Sequence, residues 1–400
     1  MNTKHHRTML LVGLVFCLLS AAGGCDMQVG GWGKAKYART LRRRAAIAPG
    51  STVVAKTQMG SVSIRGAQVT DCNMVAEIVV RAPTEERAKE IAEQVTILLE
   101  PAEDRLIVKA EHPAPGLRCS VSVSFEIIVP EETGAECASS YGPVKVANIR
   151  GDVRAGSASG QVTAENIEGS VRLESSYGRV TCRAAGGRNI TLKTSSGKVT
   201  AENIKGSLEA ESSYGSVTCK DVSGGDMRAV SSSGRITISK ASFGRCDAKT
   251  SYGSVGAEGL QGKWLKLHSD SGSVSLAESS AERTSVSSSY GRITCRAINT
   301  ADLNVTGASG DISIAYSDSA PGQIAADVKT SYGSIDFAAP RGFAGQVDMS
   351  TSYGSVKTNL PVTVIGPTAR DNITGSIGEG AGRLRLRSSS GSIKLRQHKN

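Results

Sequence analysis

Few residues in this 400-residue chain have the types and spacing that chemistry requires. The histidines stand far apart, at His5, His6, His112, His268 and His398. No His-Glu-x-x-His or Cys-x-x-Cys motif occurs and no Ser-His-Asp set can be assembled. Donors for an activated zinc water or a relayed serine nucleophile are therefore not legible. The calcium-binding glycine-aspartate nonapeptide is absent too. Polysaccharide cleavage on a β-helix surface would need clustered carboxylates and arginines, whereas Glu165, Glu202, Asp221 and Asp311 are scattered. The expectation is no catalytic residue, no cofactor and no metal, and hence no enzyme.

Two other sets of residues carry more information. One is Cys25, where Lys4 and Arg7 precede an apolar run from Met9 to Leu19 and then Ser20-Ala21-Ala22-Gly23-Gly24-Cys25. Charged, apolar and small-residue regions in that order make a secretory signal, and the apolar run is too short to span a bilayer, which takes about 20 residues. The ending resembles a bacterial lipobox, although Ala22 stands where leucine is usual. The resemblance implies acylation of the Cys25 thiol and its conversion to the new N-terminus. The alternative is an ordinary signal whose cleavage site precedes a cysteine. From Lys34 to Arg44 six basic residues and no acidic one follow. Such a run beside a lipid anchor can bind anionic headgroups at about 1 kcal/mol per residue, or can serve as a solvated linker. No nucleic-acid partner is expected.

The other set is a row of tyrosines. Seven of the nine, Tyr141, Tyr177, Tyr214, Tyr252, Tyr290, Tyr332 and Tyr353, immediately precede a glycine. These glycines belong to a signature of small polar residues, Gly, any residue, then Val or Ile. From Gly142 to Gly310 it recurs every 18 or 19 residues, then at Gly333, Gly354 and Gly391. Up to Tyr290 the tyrosines occupy alternate copies, with Ser159, Ser196, Ser233, Ser271 and Ser309 in the others. The row reads as a corner-packing ladder, or alternatively as a glycan- or peptide-binding stripe.

The elements that position these residues follow from the alternation. Val144, Val162, Val180 and their equivalents lie two residues after each glycine, and mostly apolar residues lie four after it, with threonine or serine between. A period of two with one apolar face is a half-buried strand. A second alternating strand, such as Ser207-Leu208-Glu209-Ala210, fills the rest of each copy. A unit of this size cannot bury its apolar face alone, so copies must stack. The fold expected is an all-β parallel solenoid of about 19-residue coils. Coils of about 37 residues, or propeller blades, are the alternatives. Aromatics at only 4% suit a narrow interior.

Residues 50–136 read differently, as strands around 61–64, 76–80, 106–109 and 120–129 with one helix after Pro83. The expected organisation is a signal peptide (1–24), a lipid anchor and basic linker (25–49), an α+β cap (50–136) and the solenoid (137–396). Beyond Cys17 and Cys25 seven cysteines remain, an odd number, so at least one is free or intermolecular. Cys182, Cys219 and Cys295 share one inward position, as small hydrophobes do. Arg183, Lys220 and Arg296 share an outward one and are candidates for acidic glycans.

The Ser-Ser-Gly-x-Val copies, the strand-helix-strand lead-in and the ending Asn372-Ile373-Thr374-Gly375-Ser376-Ile377-Gly378 to Ser389-Ser390-Gly391-Ser392-Ile393 resemble the bacterial putative-adhesin domain family. The resemblance implies an envelope-associated β-solenoid domain. With the signal, Cys25 and the long repetitive face, the expectation is an exported, membrane-anchored structural or adhesin-like protein that contacts glycans or envelope proteins. A polysaccharide-active β-helix enzyme and an envelope-stress sensor or regulator are the alternatives.

Overall fold

The computed structural model describes residues 35–112, 114, 118–365 and 369–397. The signal segment, Cys25 and Lys34 lie outside the described residues.

Most coils contribute two strands, which merge into one 15-residue strand in Val217–Ser231, Ile236–Thr250, Val255–Ser269 and Ile293–Gly307, and each pairs in parallel with its equivalents in the neighbouring coils. Val162–Ile167 lies between Val144–Ile149 and Val180–Ala185. Val171–Ser175 lies between Val153–Ser157 and Asn189–Thr194. Val162 faces Val180, and Val180 faces Val199. Strand pairing thus repeats every 18 or 19 residues, and neither a 37-residue coil nor a propeller fits this register.

The coil closes because its alternation is broken once. Val162 and Ala164 point inward, then Asn166 adopts the left-handed region at φ 55°, and the next residue, Ile167, is buried in turn. Asn148, Asn203 and Asp221 do the same with φ between 54° and 58°. Asn and Asp tolerate this region well; Lys240 and Glu278, in the same column, adopt it at a cost of about 1–2 kcal/mol each. The slot between the two strand ladders is filled by Val, Ile, Leu, Ala and Cys. The fully buried large aromatics lie near its ends, Phe125 at one, Tyr316 and Phe337 (ring centroids 5.8 Å apart) at the other, while Phe243 fills a mid-stack position between Gly225 and Gly262.

At the N-terminal end the strands are β1 (Ala35–Ala46), β2 (Thr52–Thr57), β3 (Val62–Ala67) and β4 (Asp71–Ala82), then helix α1 (Glu85–Gln94). They continue as β5 (Thr96–Ala102), β6 (Arg105–Glu111), β7 (Ser120–Pro130), β8 (Gly134–Ser139) and β9 (Val144–Ile149). One ladder begins with β1, β4 and β7 antiparallel, then β3 and β9 parallel. The other begins with β5 and β6 antiparallel, then β2 and β8 parallel. There is accordingly no structural break at residue 136, and the first coil is built from β2 and β3. The antiparallel strands end the stack in a different hydrogen-bond pattern, as a cap must. Thr84 caps α1, its Oγ1 accepting from the Arg87 N–H at 3.3 Å.

The basic stretch expected as a linker is, from Ala35, strand β1. Tyr37, Leu41 and Ala45 pack on the core, a period-four pattern that the arginines between them disguise. Two of those arginines are held internally. Arg39 Nη1 donates to the Ala92 carbonyl at 3.2 Å, at the C-terminal end of α1, and Arg44 pairs with Asp71. Lys36 and Arg42 carry no salt bridge among the described residues.

The C-terminal end departs from chain order. Ala325–Thr330 pairs not with Gly345–Thr351 but with Gly382–Ser388, which in turn pairs with Gly345–Thr351. Ile393–Gln397 likewise lies between Ile335–Ala339 and Val356–Thr358. The chain skips one rung after Gly333, builds the terminal coil, turns back through antiparallel Asn372–Ile377, and fills the gap with its last coil. The interval from Gly333 to Gly354 is 21 residues. Two extra residues at about 3.3 Å each suffice to climb one additional rung of about 4.8 Å.

All seven described cysteines are free thiols. Cys182 faces Ala201, which faces Cys219, so that two rungs separate the sulfurs. Among the described residues no helix is long and apolar enough to cross a membrane.

Candidate functional site

The most repetitive part of the surface is the edge where the second strand of each coil turns at the glycine signature. Its foundation is a hydroxyl that points inward. Ser175 Oγ accepts from the Gly178 N–H at 2.9 Å and donates to the Gly160 carbonyl of the coil below at 3.1 Å. Ser157, Thr194, Ser212, Ser231, Thr250, Ser269 and Ser288 make the same two bonds. Each satisfies a turn N–H and ties it to the next rung. The sequence shows these residues three before each glycine, but small polar residues in a turn do not announce which of them faces inward.

The glycine itself is required by contact. A Cβ on Gly178 would sit 1.9 Å from the Gly160 carbonyl oxygen. The same holds where the chain leaves sequence order: Gly391 would meet the Gly333 carbonyl at 2.1 Å and Gly354 the Gly391 carbonyl at 2.2 Å. The glycines therefore stack in the order 310, 333, 391, 354.

This order explains the tyrosine row. In sequence the alternation fails after Tyr290, since Tyr332 and Tyr353 precede consecutive glycines. In space Ser390 lies between them, and tyrosine and serine alternate without exception from Tyr141 to Tyr353. The backbone of both is fixed to the coil below: Tyr177 N–H donates to Ala158 O at 3.0 Å, Ser196 N–H to Ser176 O at 3.0 Å and Tyr353 N–H to Ser389 O at 2.9 Å. The side chains, by contrast, stand in solvent, 65–84% exposed. Corner packing thus accounts for little of their surface. Beside the row runs an open groove of about 620 Å³ lined by Ser157, Ser176, Ser195 and Ser213 together with Glu174, Lys193 and Glu211.

The remaining candidate residues form charge ladders. Glu165 faces Arg183, which faces Glu202, which faces Lys220. Glu202 pairs with Arg183 at 3.4 Å and Lys220 at 3.8 Å; Lys220 also reaches Asp221 at 3.9 Å. Arg296 pairs with Glu278 at 4.0 Å and Asp311 with Arg292 at 3.3 Å. Carboxylates in the region of longer intervals are paired as well, Asp336 with Arg396 at 2.9 Å and Asp348 with Arg387 at 3.1 Å. Of the four scattered carboxylates only Glu202 and Asp221 converge, on Lys220. No group of three or more His, Cys, Asp or Glu among the described residues could hold a metal ion.

One constellation escaped the sequence. His268 lies between Ser287 Oγ (Nδ1, 2.8 Å) and Asp270 Oδ1 (Nε2, 2.9 Å), and its hydrogen bond holds the Asp270 carboxyl below its usual range. Ser287 is one rung away from His268, a neighbour that only coil register reveals. With Asp270 about half exposed (48%), water solvates the carboxylate, and the set lies on an open strand face. Trp264 is a second such case, half-exposed between Arg245 and Arg283 of the adjacent rungs, whose guanidinium carbons lie 5.0 and 5.9 Å from its ring.

The Toastrack DUF4097 family model matches residues 55–244 and again 223–396. The chain belongs to this family. No curated protein matches this Toastrack chain. Among solved structures it is similar to a "putative cell adhesion protein" from Clostridium sporogenes, at 9% identity over 90% of this chain and 100% of that one, with a TM-score of 0.21. It is also similar to a "putative lipid binding protein" from Parabacteroides distasonis (11% identity, 77% and 96% covered, TM-score 0.27). A "putative adhesin" from Parabacteroides merdae is similar at 11% identity, with 75% and 96% covered and a TM-score of 0.27.

Proposed function

We propose that this Toastrack chain is an exported lipoprotein, held at a membrane through acylated Cys25, whose solenoid is a structural or adhesin-like binding element of the cell envelope and not an enzyme. The observation that carries this reading is the uninterrupted tyrosine-serine edge, rigid in its backbone and open in its side chains. The paired carboxylates favour binding over polysaccharide cleavage, which needs an unpaired acid and base facing one substrate position. The lead from Cys25 to β1 is nine residues, a tether of at most about 30 Å that lets Lys36 and Arg42 reach a membrane surface, where each basic residue contributes about 1 kcal/mol toward anionic headgroups.

Cys25→Ser is expected to abolish incorporation of labelled palmitate and to shift the exported protein from the membrane to the soluble fraction. Palmitate retained by the variant, or a wild-type chain that is never membrane-bound, contradicts the anchored reading.

A further inference from the structure

We propose that the tyrosine edge is a docking track for one extended β-1,4-linked glycan chain, each ring stacking on the same face of every second sugar. This deepens the adhesive reading above and rests on it.

The spacing is the first argument. Seven tyrosines and six serines alternate over thirteen rungs in space, so that tyrosines recur every two rungs, about 9.6 Å apart. The return of the last coil between the two before it restores this alternation where chain order would have placed Tyr332 directly beside Tyr353. Tyrosines on adjacent rungs, about 4.8 Å apart, would lean on one another and cover their own faces. With a serine between each pair, every ring stays 65–84% exposed.

A rigid track with a fixed repeat selects a polymer of the same repeat. An extended peptide presents one face every two residues, about 6.7 Å, and falls out of step within two tyrosines. A polyproline helix returns every three residues, about 9.3 Å, and stays in step. Such helices, however, are held in aromatic-lined grooves, whereas these rings stand 65–84% exposed on a ridge flanked by serine hydroxyls. Flat rings with hydroxyls between them match a pyranose, which has an apolar C–H face and a polar rim. In an extended β-1,4 chain successive sugars are flipped, and the same face returns once per disaccharide, a length close to two rungs. Because the turn backbone is already hydrogen-bonded rung to rung, little ordering is left to oppose binding.

The test uses the full chain in detergent, titrated by calorimetry with chitin oligosaccharides of increasing length, an α-1,4 glucan, a proline-rich peptide and purified peptidoglycan. Affinity is expected to rise with each added disaccharide, and the α-linked chain is expected not to bind. Tyr214→Ala and Tyr252→Ala should each weaken binding about threefold to tenfold, the worth of an aromatic contact. Ser233→Tyr, which adds an aromatic between them, should weaken it too, with the thermal transition unchanged in all three. Binding to both chitin oligomers and peptidoglycan, or to peptidoglycan alone, supports the track and identifies the source of the chain. Binding only to the proline-rich peptide, or glycan binding indifferent to length and to the three substitutions, overturns it. If every glycan arm fails while the chain still coats purified envelopes, this inference falls and the adhesive reading stands. If it coats nothing, both fall.

Discussion

Gly215→Ala is expected to destabilise the solenoid by about 3 kcal/mol or more, at or beyond the upper end for inserting a methyl group into a packed interior. The added Cβ would lie 1.9 Å from the Gly197 carbonyl oxygen. That oxygen is backbone, fixed within the rung below, and it also accepts the Ser212 hydroxyl at 2.9 Å. No side chain can rotate away to relieve the contact. The rung must lift instead, which stretches the Ser212 hydroxyl bond to that carbonyl and the strand bond from Val199 N–H to Ser216 O. Gly156→Ala is the control. Its Cβ would meet nothing closer than the Glu174 carbonyl at 3.7 Å, an ordinary contact. Urea unfolding of the two variants should separate them clearly. A Gly215→Ala protein within about 0.5 kcal/mol of wild type, the range of an innocuous surface change, would mean the glycines do not stack as described.

Stability should also collapse in alkali. Burial pushes the Cys72 thiol from its ordinary value of 9.0 up to about 11, and Cys182, Cys219 and Cys295 up to about 12; Cys137 and Cys246 are pushed up by the same cause. Below pH 9 these thiols hold their protons whether the chain is folded or not. Above it the unfolded chain releases protons that the folded chain keeps, so each thiol favours unfolding by about 1.4 kcal/mol per pH unit until its folded value is reached. Six together remove roughly 8 kcal/mol between neutrality and pH 10, comparable to the roughly 5–15 kcal/mol that keeps a domain folded. Replacing Cys182, Cys219 and Cys295 by alanine takes out half of them at a column where Ala164, Ala201 and Ala257 already stand. The dependence of unfolding free energy on pH between 9 and 11 should then flatten by about half. An alkaline limb of unchanged slope would show that the thiols are not buried in the folded chain.

Much of this architecture was legible in the residues. The spacing of glycines gave the coil length, and Val144, Val162 and Val180 two places later gave the inward face, because contacts between coils are contacts between equivalent residues. The glycan-or-packing question at the tyrosines was legible as a question. What escaped were relations that a linear pattern does not encode. Intercalated and consecutive coils make the same local hydrogen bonds, so the placing of Gly391 between Gly333 and Gly354 left only a slightly long interval as its trace. Strand β1 was hidden because Arg39, Arg42, Arg43 and Arg44 mask the apolar positions between them. The inward turn hydroxyls, such as Ser175, look no different in sequence from the outward Ser176. Ser287 and His268 meet only through register, at a separation of one coil.

The order of the last three coils is what turns an interrupted row of tyrosines into a continuous one, and a pair of engineered cysteines reads it directly. Ser355 Oγ and Ser392 Oγ lie 3.3 Å apart on adjacent rungs, within reach of a disulfide, whereas Ser334 and Ser355 are separated by the rung of Ser392. Mild oxidation of the folded chain followed by peptide mapping should find a crosslink in the Ser355→Cys, Ser392→Cys protein and none in the Ser334→Cys, Ser355→Cys protein. The opposite outcome, a bridge between positions 334 and 355 and none between 355 and 392, would place the coils in chain order and break the tyrosine alternation.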